Sequence, residues 1–250
     1  MTRRIKTEEI TEKELLSLIT DFEEKGGVLD FNVLRLTRQT EEKDSGNDYE
    51  NHMIVARQTL EKIHYRGNRH NNSIAPKGER TSFPMFTTDF DTLDSSGRRN
   101  SIQEFLGPFY DIKLNKPLIR GCLDNTTEGK YFYYDSPEEL LHAKDEHDPD
   151  LDFSSKYPEA NDTRGFIYSF MEPPYGLFRI GDSIKEKGQY LIRFMQYLFS
   201  EIEDLQVYSW SIDSSKYFDD GKEWWGASFW TVYNSEKDWY IGICGSSTDY

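Results

Sequence analysis

The stretch WWGASFWTVYNSEKDWYIGICGSS, residues 224–247, carries the clearest folding signal in this chain. Two apolar and aromatic runs, rich in residues that favour β-strands, flank the polar tetrapeptide at 235–238. Two strand-like runs joined by a short polar connection are typical of an antiparallel hairpin. Because both runs are so apolar, we predict that this C-terminal hairpin lies near the middle of a sheet.

Upstream of the hairpin, helix and strand signals follow one another without strict alternation. Apolar residues at helical spacing predict helices over residues 7–25, 51–65 and about 183–204, and Ser136 has the position of a further N-cap. Residues 66–82 are polar and basic and are predicted to form a long loop. Strands are predicted over 28–36, 116–123, 129–134, 165–172, 176–180 and 205–212.

This order of elements predicts an α+β fold, a single domain whose largely antiparallel sheet is packed by about four helices. Within residues 1–250 we distinguish an N-terminal helical part at 1–65 from a sheet-rich acidic part at 118–250. The chain has no internal repeat and no low-complexity linker, so nothing in the sequence divides it further.

Charge is distributed unevenly along the chain, whose formal net charge is −15. Residues 1–125 hold 19 Lys and Arg against 21 Asp and Glu, whereas residues 126–250 hold 11 against 24. The negative net charge argues against nucleic acid as a partner. The acidic half is either a solubility device or a surface that attracts a basic partner. The basic stretch from Arg57 to Arg80 could contact an anionic ligand or the acidic half of a neighbouring copy.

The remaining global features predict a cytoplasmic protein. The N-terminal residues lack the apolar region of a secretory signal, and no run of 18 apolar residues is present, so we predict no membrane segment. Cys122 and Cys244 each lie in an apolar run, which indicates reduced core thiols rather than nucleophiles. The chain also has no Gly-rich phosphate loop, no dinucleotide-binding fingerprint and no Cys-x-x-Cys pair, so no cofactor is predicted.

The segment LFRIGDSIKEKG, residues 177–188, raises the question of a nucleophilic serine. Gly181, Asp182, Ser183 and Gly188 resemble the first block of the SGNH, or GDSL-type, hydrolases. The resemblance implies a serine nucleophile and a base from a C-terminal Asp-x-x-His. All five histidines of this chain precede Ser183, however, and none has that spacing. Ser183 and Glu186 also match a capping box, so we interpret Ser183 as the start of a helix.

Two acidic segments could hold a metal ion. Asp148, Asp150, Asp152 and Glu159 occupy positions 1, 3, 5 and 12 of a calcium loop, but Phe153 replaces the glycine that its sharp turn requires. We therefore interpret this segment as a solvated acidic loop, with irregular calcium binding as the alternative. A second set, loosely spaced for a transition metal, comprises His142, Asp145, His147 and Asp148.

The richest combination of aromatic and acidic residues lies just before the hairpin. Asp219, Asp220 and Glu223 precede Trp224 and Trp225, a composition that suits recognition of a basic protein or a sugar. Strand alternation places Trp224 and Trp230 on one face and Trp225 on the other. Our leading hypothesis is a non-enzymatic acidic binding protein, of the inhibitor or immunity type, that acts on a basic protein. The alternative is a serine or metal-dependent hydrolase.

Overall fold

The computed structural model describes most of the chain, namely residues 5–38, 48–74, 86–121, 130–133, 165–173, 180, 184–223 and 226–247. The chain divides into two compact units. The first comprises residues 1–12, 29–100 and 204–250, and the second comprises residues 13–28 and 101–203. The single domain, with its parts at 1–65 and 118–250, stays a prediction.

The first unit is built on a six-stranded sheet in which every neighbouring pair is antiparallel. The strands are β1 Ile5–Glu9, β2 Leu29–Arg38, β3 Arg98–Asn100, β7 Gln206–Ser209, β8 Gly226–Asn234 and β9 Trp239–Ser247, and they lie in the order β1-β2-β9-β8-β7-β3. This arrangement confirms the predicted α+β fold with a largely antiparallel sheet.

The predicted C-terminal hairpin forms the centre of this sheet. β8 and β9 pair over their whole length, from Gly226 opposite Ser247 to Asn234 opposite Trp239. The side-chain oxygen of Asn234 accepts hydrogen bonds from the amides of Glu236 (3.0 Å) and Lys237 (3.2 Å), which fixes the four-residue turn. The hairpin therefore sets the register for β2 on one side and β7 on the other.

A long helix, α2 (Asp48–Ile74), covers one face of the sheet. Its buried residues Ala56, Leu60 and Ile63 pack with Phe229 and Cys244 in one core cluster. The helix approaches the sheet most closely at Gly242, where an added Cβ would lie 1.9 Å from Thr59 Oγ1. Only glycine fits between this helix and strand β9 at that point. The unit also contains α3 (Phe90–Ser96), α7 (Asp219–Glu223) and two 3-10 turns, Ile212–Ser214 and Lys216–Phe218.

The second unit is mainly helical and has an aromatic core. Its helices are α1 Lys13–Glu24, α4 Ile102–Leu106, α5 Phe166–Met171 and α6 Ile184–Phe199, beside a three-stranded sheet of β4 Tyr110–Asp111, β5 Lys116–Gly121 and β6 Lys130–Tyr133. Six phenylalanines are completely or almost completely buried and contact one another ring to ring: Phe22, Phe105, Phe166, Phe170, Phe194 and Phe199. The described residues hold seven helices in all, rather than about four, because four of them are shorter than eight residues.

Two predicted boundaries near the N-terminus are wrong. The helix predicted over 7–25 begins only at Lys13, because residues 5–9 pair with β2 as an edge strand. The loop predicted over 66–82 is helical over 66–74, and its other residues, 75–82, lie outside the described residues. Local preference is overridden because this segment continues a helix whose preceding turn is anchored in the core by Ile63 and His64, and Arg66 adds an ion pair to Asp30, Nη1 to Oδ1 at 3.2 Å.

Two further boundaries are wrong in the second unit. Residues 165–172 were predicted as a strand but contain α5. The buried side chains of this segment have helical spacing: Phe166, Ile167, Phe170 and Met171. A continuous apolar run does not distinguish a buried helix from a buried strand, so the spacing was not evident from the sequence. The helix predicted over 183–204 ends at Phe199, since Ser200 has a left-handed φ of 54° and a 3-10 turn follows at Ile202–Asp204. Within the described residues, no helix combines the length and apolar character needed to cross a membrane.

Candidate functional site

The acidic residues predicted as a binding site lie together at the surface of the first unit. Asp219, Asp220 and Glu223 are exposed on α7. Trp224 and Trp225, the other two predicted residues, lie outside the described residues. Trp230, on the adjoining strand β8, is only 7% exposed and belongs to the core.

α7 is held tightly against the central hairpin. The amide of Gly221 donates a hydrogen bond to Ser246 Oγ at 3.2 Å. A Cβ at position 221 would lie 2.7 Å from both this hydroxyl and the carbonyl oxygen of Gly226, so the helix backbone is in direct contact with both strands. The acidic side chains are consequently presented from a fixed backbone rather than from a loose loop.

The charges around α7 are only partly compensated. Lys222 Nζ lies 2.8 Å from Asp213 Oδ1 and 3.2 Å from Asp219 Oδ1, and its hydrogen bond to Asp213 is the main reason why the pKa of Lys222 is raised. Asp220 and Glu223 make no ion pair within the described residues. We call Asp213, Asp219, Asp220 and Glu223 the acidic surface, and two of its four carboxylates are available to an external cation.

The predicted metal ligands fall outside the part of the chain that the structure describes. This applies to the calcium-loop residues Asp148, Asp150, Asp152 and Glu159 and to the second set of His142, Asp145 and His147. Among the described residues, no group of three or more His, Cys, Asp or Glu side chains is placed to hold a metal ion.

A serine–histidine pair does occur, but not at Ser183, which lies outside the described residues. His64 Nε2 is 3.5 Å from Ser215 Oγ and 3.2 Å from Thr88 Oγ1. Ser215 is 3% exposed, and its hydroxyl accepts a hydrogen bond from the amide of Tyr217 at 3.2 Å as the cap of a 3-10 turn. A buried hydroxyl that accepts a hydrogen bond from a backbone amide stabilises the fold, and this is the role that the structure gives to Ser215.

A surface groove of about 540 Å³ runs beside α6 in the second unit. Lys25, Arg193 and Glu186 line the groove, and Lys25 Nζ also forms an ion pair with Asp21 Oδ1 at 2.7 Å. Charges of both signs are therefore mixed along its wall. The groove favours neither an anionic nor a cationic ligand.

A buried histidine with a strongly lowered pKa lies on the side of α2 that faces the sheet. His52 is completely buried, with its Nδ1 2.8 Å from Thr231 Oγ1 and its ring 4.6 Å from that of Tyr208. Its Nε2 has no hydrogen-bond partner among the described residues. Burial, followed by the positive charge of Arg99, lowers the pKa of His52 to about 3. His52 is therefore neutral in the folded protein at ordinary pH.

The low pKa of His52 makes stability depend on pH. In the unfolded chain this histidine titrates near 6.5, so acidification below that value protonates the unfolded state first and favours it. The stabilisation is complete above pH 6.5 and is lost as the pH falls toward the folded pKa. Between pH 7.5 and pH 5 we expect a loss of about 2 kcal/mol from this group alone.

His52→Gln provides the comparison for that prediction, because glutamine is polar but does not titrate. Urea denaturation of both proteins across this pH range isolates the contribution of His52, since other groups titrate in both. We expect the free energy of unfolding to fall more steeply in the parent chain than in the variant. Parallel pH profiles would show that His52 is not the group responsible.

Sequence reasoning missed both His52 and Asp213. The spacing of His52 indicates a core position, since it lies four residues before Ala56 and eight before Leu60, on the same face of the helix. Asp213 carries no such signal. It joins the acidic surface only because the 3-10 turn Ile212–Ser214 places its Oδ1 2.8 Å from Lys222 Nζ.

Comparison with known proteins adds nothing to this geometry: no protein family, no curated protein and no solved structure matches the chain.

Proposed function

We propose that this protein is a non-enzymatic, cytoplasmic binding protein whose acidic surface docks a basic protein, in the manner of an inhibitor or immunity protein. One observation carries the proposal. Asp220 and Glu223 are exposed and make no ion pair within the described residues, and they stand on a helix fixed to the central hairpin. Preorganised carboxylates lose little conformational freedom when a partner binds.

The chemistry of this surface selects a cationic partner. Exposed carboxylates pair with lysine or arginine side chains, and the net charge of −15 adds a long-range attraction for basic proteins. Such attraction mainly accelerates association and weakens as salt screens it. The proposed complex should therefore form faster and more tightly at low salt.

The hydrolase alternative stays a prediction. Its sequence candidates, Ser183 and the acidic loop, lie outside the described residues, and the one serine–histidine pair found among the described residues is buried. No observation favours it over binding.

The experiment is affinity capture from a lysate with the chain immobilised, at low and high salt, and with proteins identified by mass spectrometry. In Asp220→Lys/Glu223→Lys the two unpaired carboxylates become cations. We expect a basic partner to be captured by the parent chain, with at least about a tenfold loss in the variant. High salt should also reduce the amount of the basic partner that the parent chain captures.

A matched control separates the acidic surface from the overall charge. Glu201→Lys/Glu203→Lys changes the net charge by the same amount at two exposed carboxylates of the second unit. We expect this control to retain the partner. Equal losses in both variants, or a captured partner that is not basic, would contradict the proposal.

A further inference from the structure

The C-terminal part of α2 presents the opposite charge. From Lys62 to Ile74 the helix carries three Lys and Arg residues and no Asp or Glu. Lys62 forms an ion pair with Glu9 and Arg66 forms one with Asp30, so Arg69 is the cation of the three that has no ion pair among the described residues. We call this segment, residues 62–74, the basic end of α2. Its buried side is tied down through His64 and Arg66, so the segment is a fixed part of the first unit.

The outward face of this segment is available to a partner. Tyr65 is 67% exposed, and Arg69, one helical turn further on, is exposed and makes no ion pair among the described residues. Residues four apart lie side by side on a helix, so the ring and the guanidinium form one patch. Tyrosine and arginine are the residue types that most often anchor protein interfaces.

The basic end of α2 and the acidic surface are neighbours. Asp30 contacts a residue of the basic end and a residue close to α7, since its Oδ1 lies 3.2 Å from Arg66 Nη1 and its Oδ2 accepts a hydrogen bond from the Tyr217 hydroxyl at 2.9 Å. Tyr217 is only two residues before Asp219, where α7 begins. The first unit therefore carries both patches, on two segments of the chain that meet at Asp30.

We propose that these two patches form a self-complementary interface for a second copy of this chain. About a two-fold axis passing between them, the basic end of α2 in one copy faces the acidic surface of the other, and the reverse contact follows by symmetry. Each dimer then contains two equivalent contacts. Arg69 lies opposite the carboxylates of α7, and Tyr65 supplies the apolar area.

A second copy fits better than a nucleic acid. A phosphate backbone is negative throughout and would meet the acidic surface as soon as it reached the basic end of α2. A second copy instead presents its acidic surface to the basic end of α2 and its own basic end to the acidic surface. Repulsion between the net charges is screened beyond about 8 Å at physiological salt, whereas the opposed patches are in contact.

Charge exchange tests the interface, with sedimentation equilibrium as the readout. We expect the parent chain to form dimers, and Arg69→Glu or Asp220→Lys alone to weaken dimerisation by about tenfold or more. The double variant Arg69→Glu/Asp220→Lys restores opposite charges across the interface and the original net charge. It should recover dimerisation, a result that loss of folding could not produce.

Lys113→Glu is the matched control for Arg69→Glu, because it makes the same change in net charge at an exposed turn of the second unit. This control should dimerise like the parent chain. A monomeric parent chain at all soluble concentrations, or a double variant as weak as the single ones, would overturn the proposal. So would a monomer that binds a fluorescent oligonucleotide through Arg69, which would assign the basic end of α2 to nucleic acid.

The inference does not depend on the basic partner proposed above, because no partner is present in the centrifuge. Arg69→Glu also separates the two proposals, since it alters the basic end of α2 and leaves the acidic surface intact. We expect it to lose dimerisation and to keep capture of the basic protein.

Discussion

Replacing Phe22 with alanine is expected to lower the free energy of unfolding by about 4 kcal/mol. Phe22 is completely buried on α1, its ring stacked on that of Phe170 at 4.5 Å and 5.4 Å from that of Phe194. Gly27 also closes over it, because a Cβ there would lie 2.3 Å from the Phe22 ring. With rings and backbone on several sides, the surroundings cannot collapse into the space that the side chain leaves.

Leu16 provides the control on the same helix. It is 47% exposed, so Leu16→Ala removes an apolar side chain from α1 without opening a cavity, and we expect a change below about 0.5 kcal/mol. Urea denaturation of the three proteins at one pH gives both values. Similar losses in the two variants would mean that helix propensity, rather than the aromatic core, determines the stability of this region.

Gly242→Ala is expected to have the second largest effect, a loss of about 3 kcal/mol, because it places a methyl group where there is no room. The new Cβ would lie 1.9 Å from Thr59 Oγ1 and 2.8 Å from Thr59 Cβ. Thr59 cannot rotate away without cost, since its hydroxyl donates to the carbonyl oxygen of Val55 at 2.7 Å. Relief therefore requires α2 to move away from the sheet, which opens the core around Leu60.

A double-mutant cycle shows whether this contact is the cause. Thr59→Gly removes every Thr59 atom that the new methyl group would meet, at the expense of helix propensity. In that background, Gly242→Ala should cost at least about 1 kcal/mol less than in the parent chain. Additive losses would indicate that Gly242 is required for the conformation of β9 rather than for the approach of α2.

The candidate site could be predicted from the sequence only in part. The composition around residues 219–225 indicated an acidic and aromatic surface, and the acidic half of it lies on an exposed helix. Which carboxylates remain unpaired could not be predicted, because Lys222 contacts both Asp213, nine residues earlier, and Asp219. The basic end of α2 was visible as a charge pattern, but its helical form was not. Gly67 and the asparagines near it disfavour a helix locally.

The sequence by itself determines those elements that its pattern of apolar residues defines. The hairpin at 226–247, strand β2 and the buried faces of α1 and α2 follow from the spacing of apolar side chains, because each element must bury that face. Tertiary contacts decided the rest. β1 is a strand because β2 offers it an edge, α5 is a helix because its aromatic residues pack with Phe105 and Phe199, and α2 continues past residue 65 because Ile63 and His64 anchor it to the core. In each case the partner is distant in the sequence, so the deciding interaction exists only once the chain has folded.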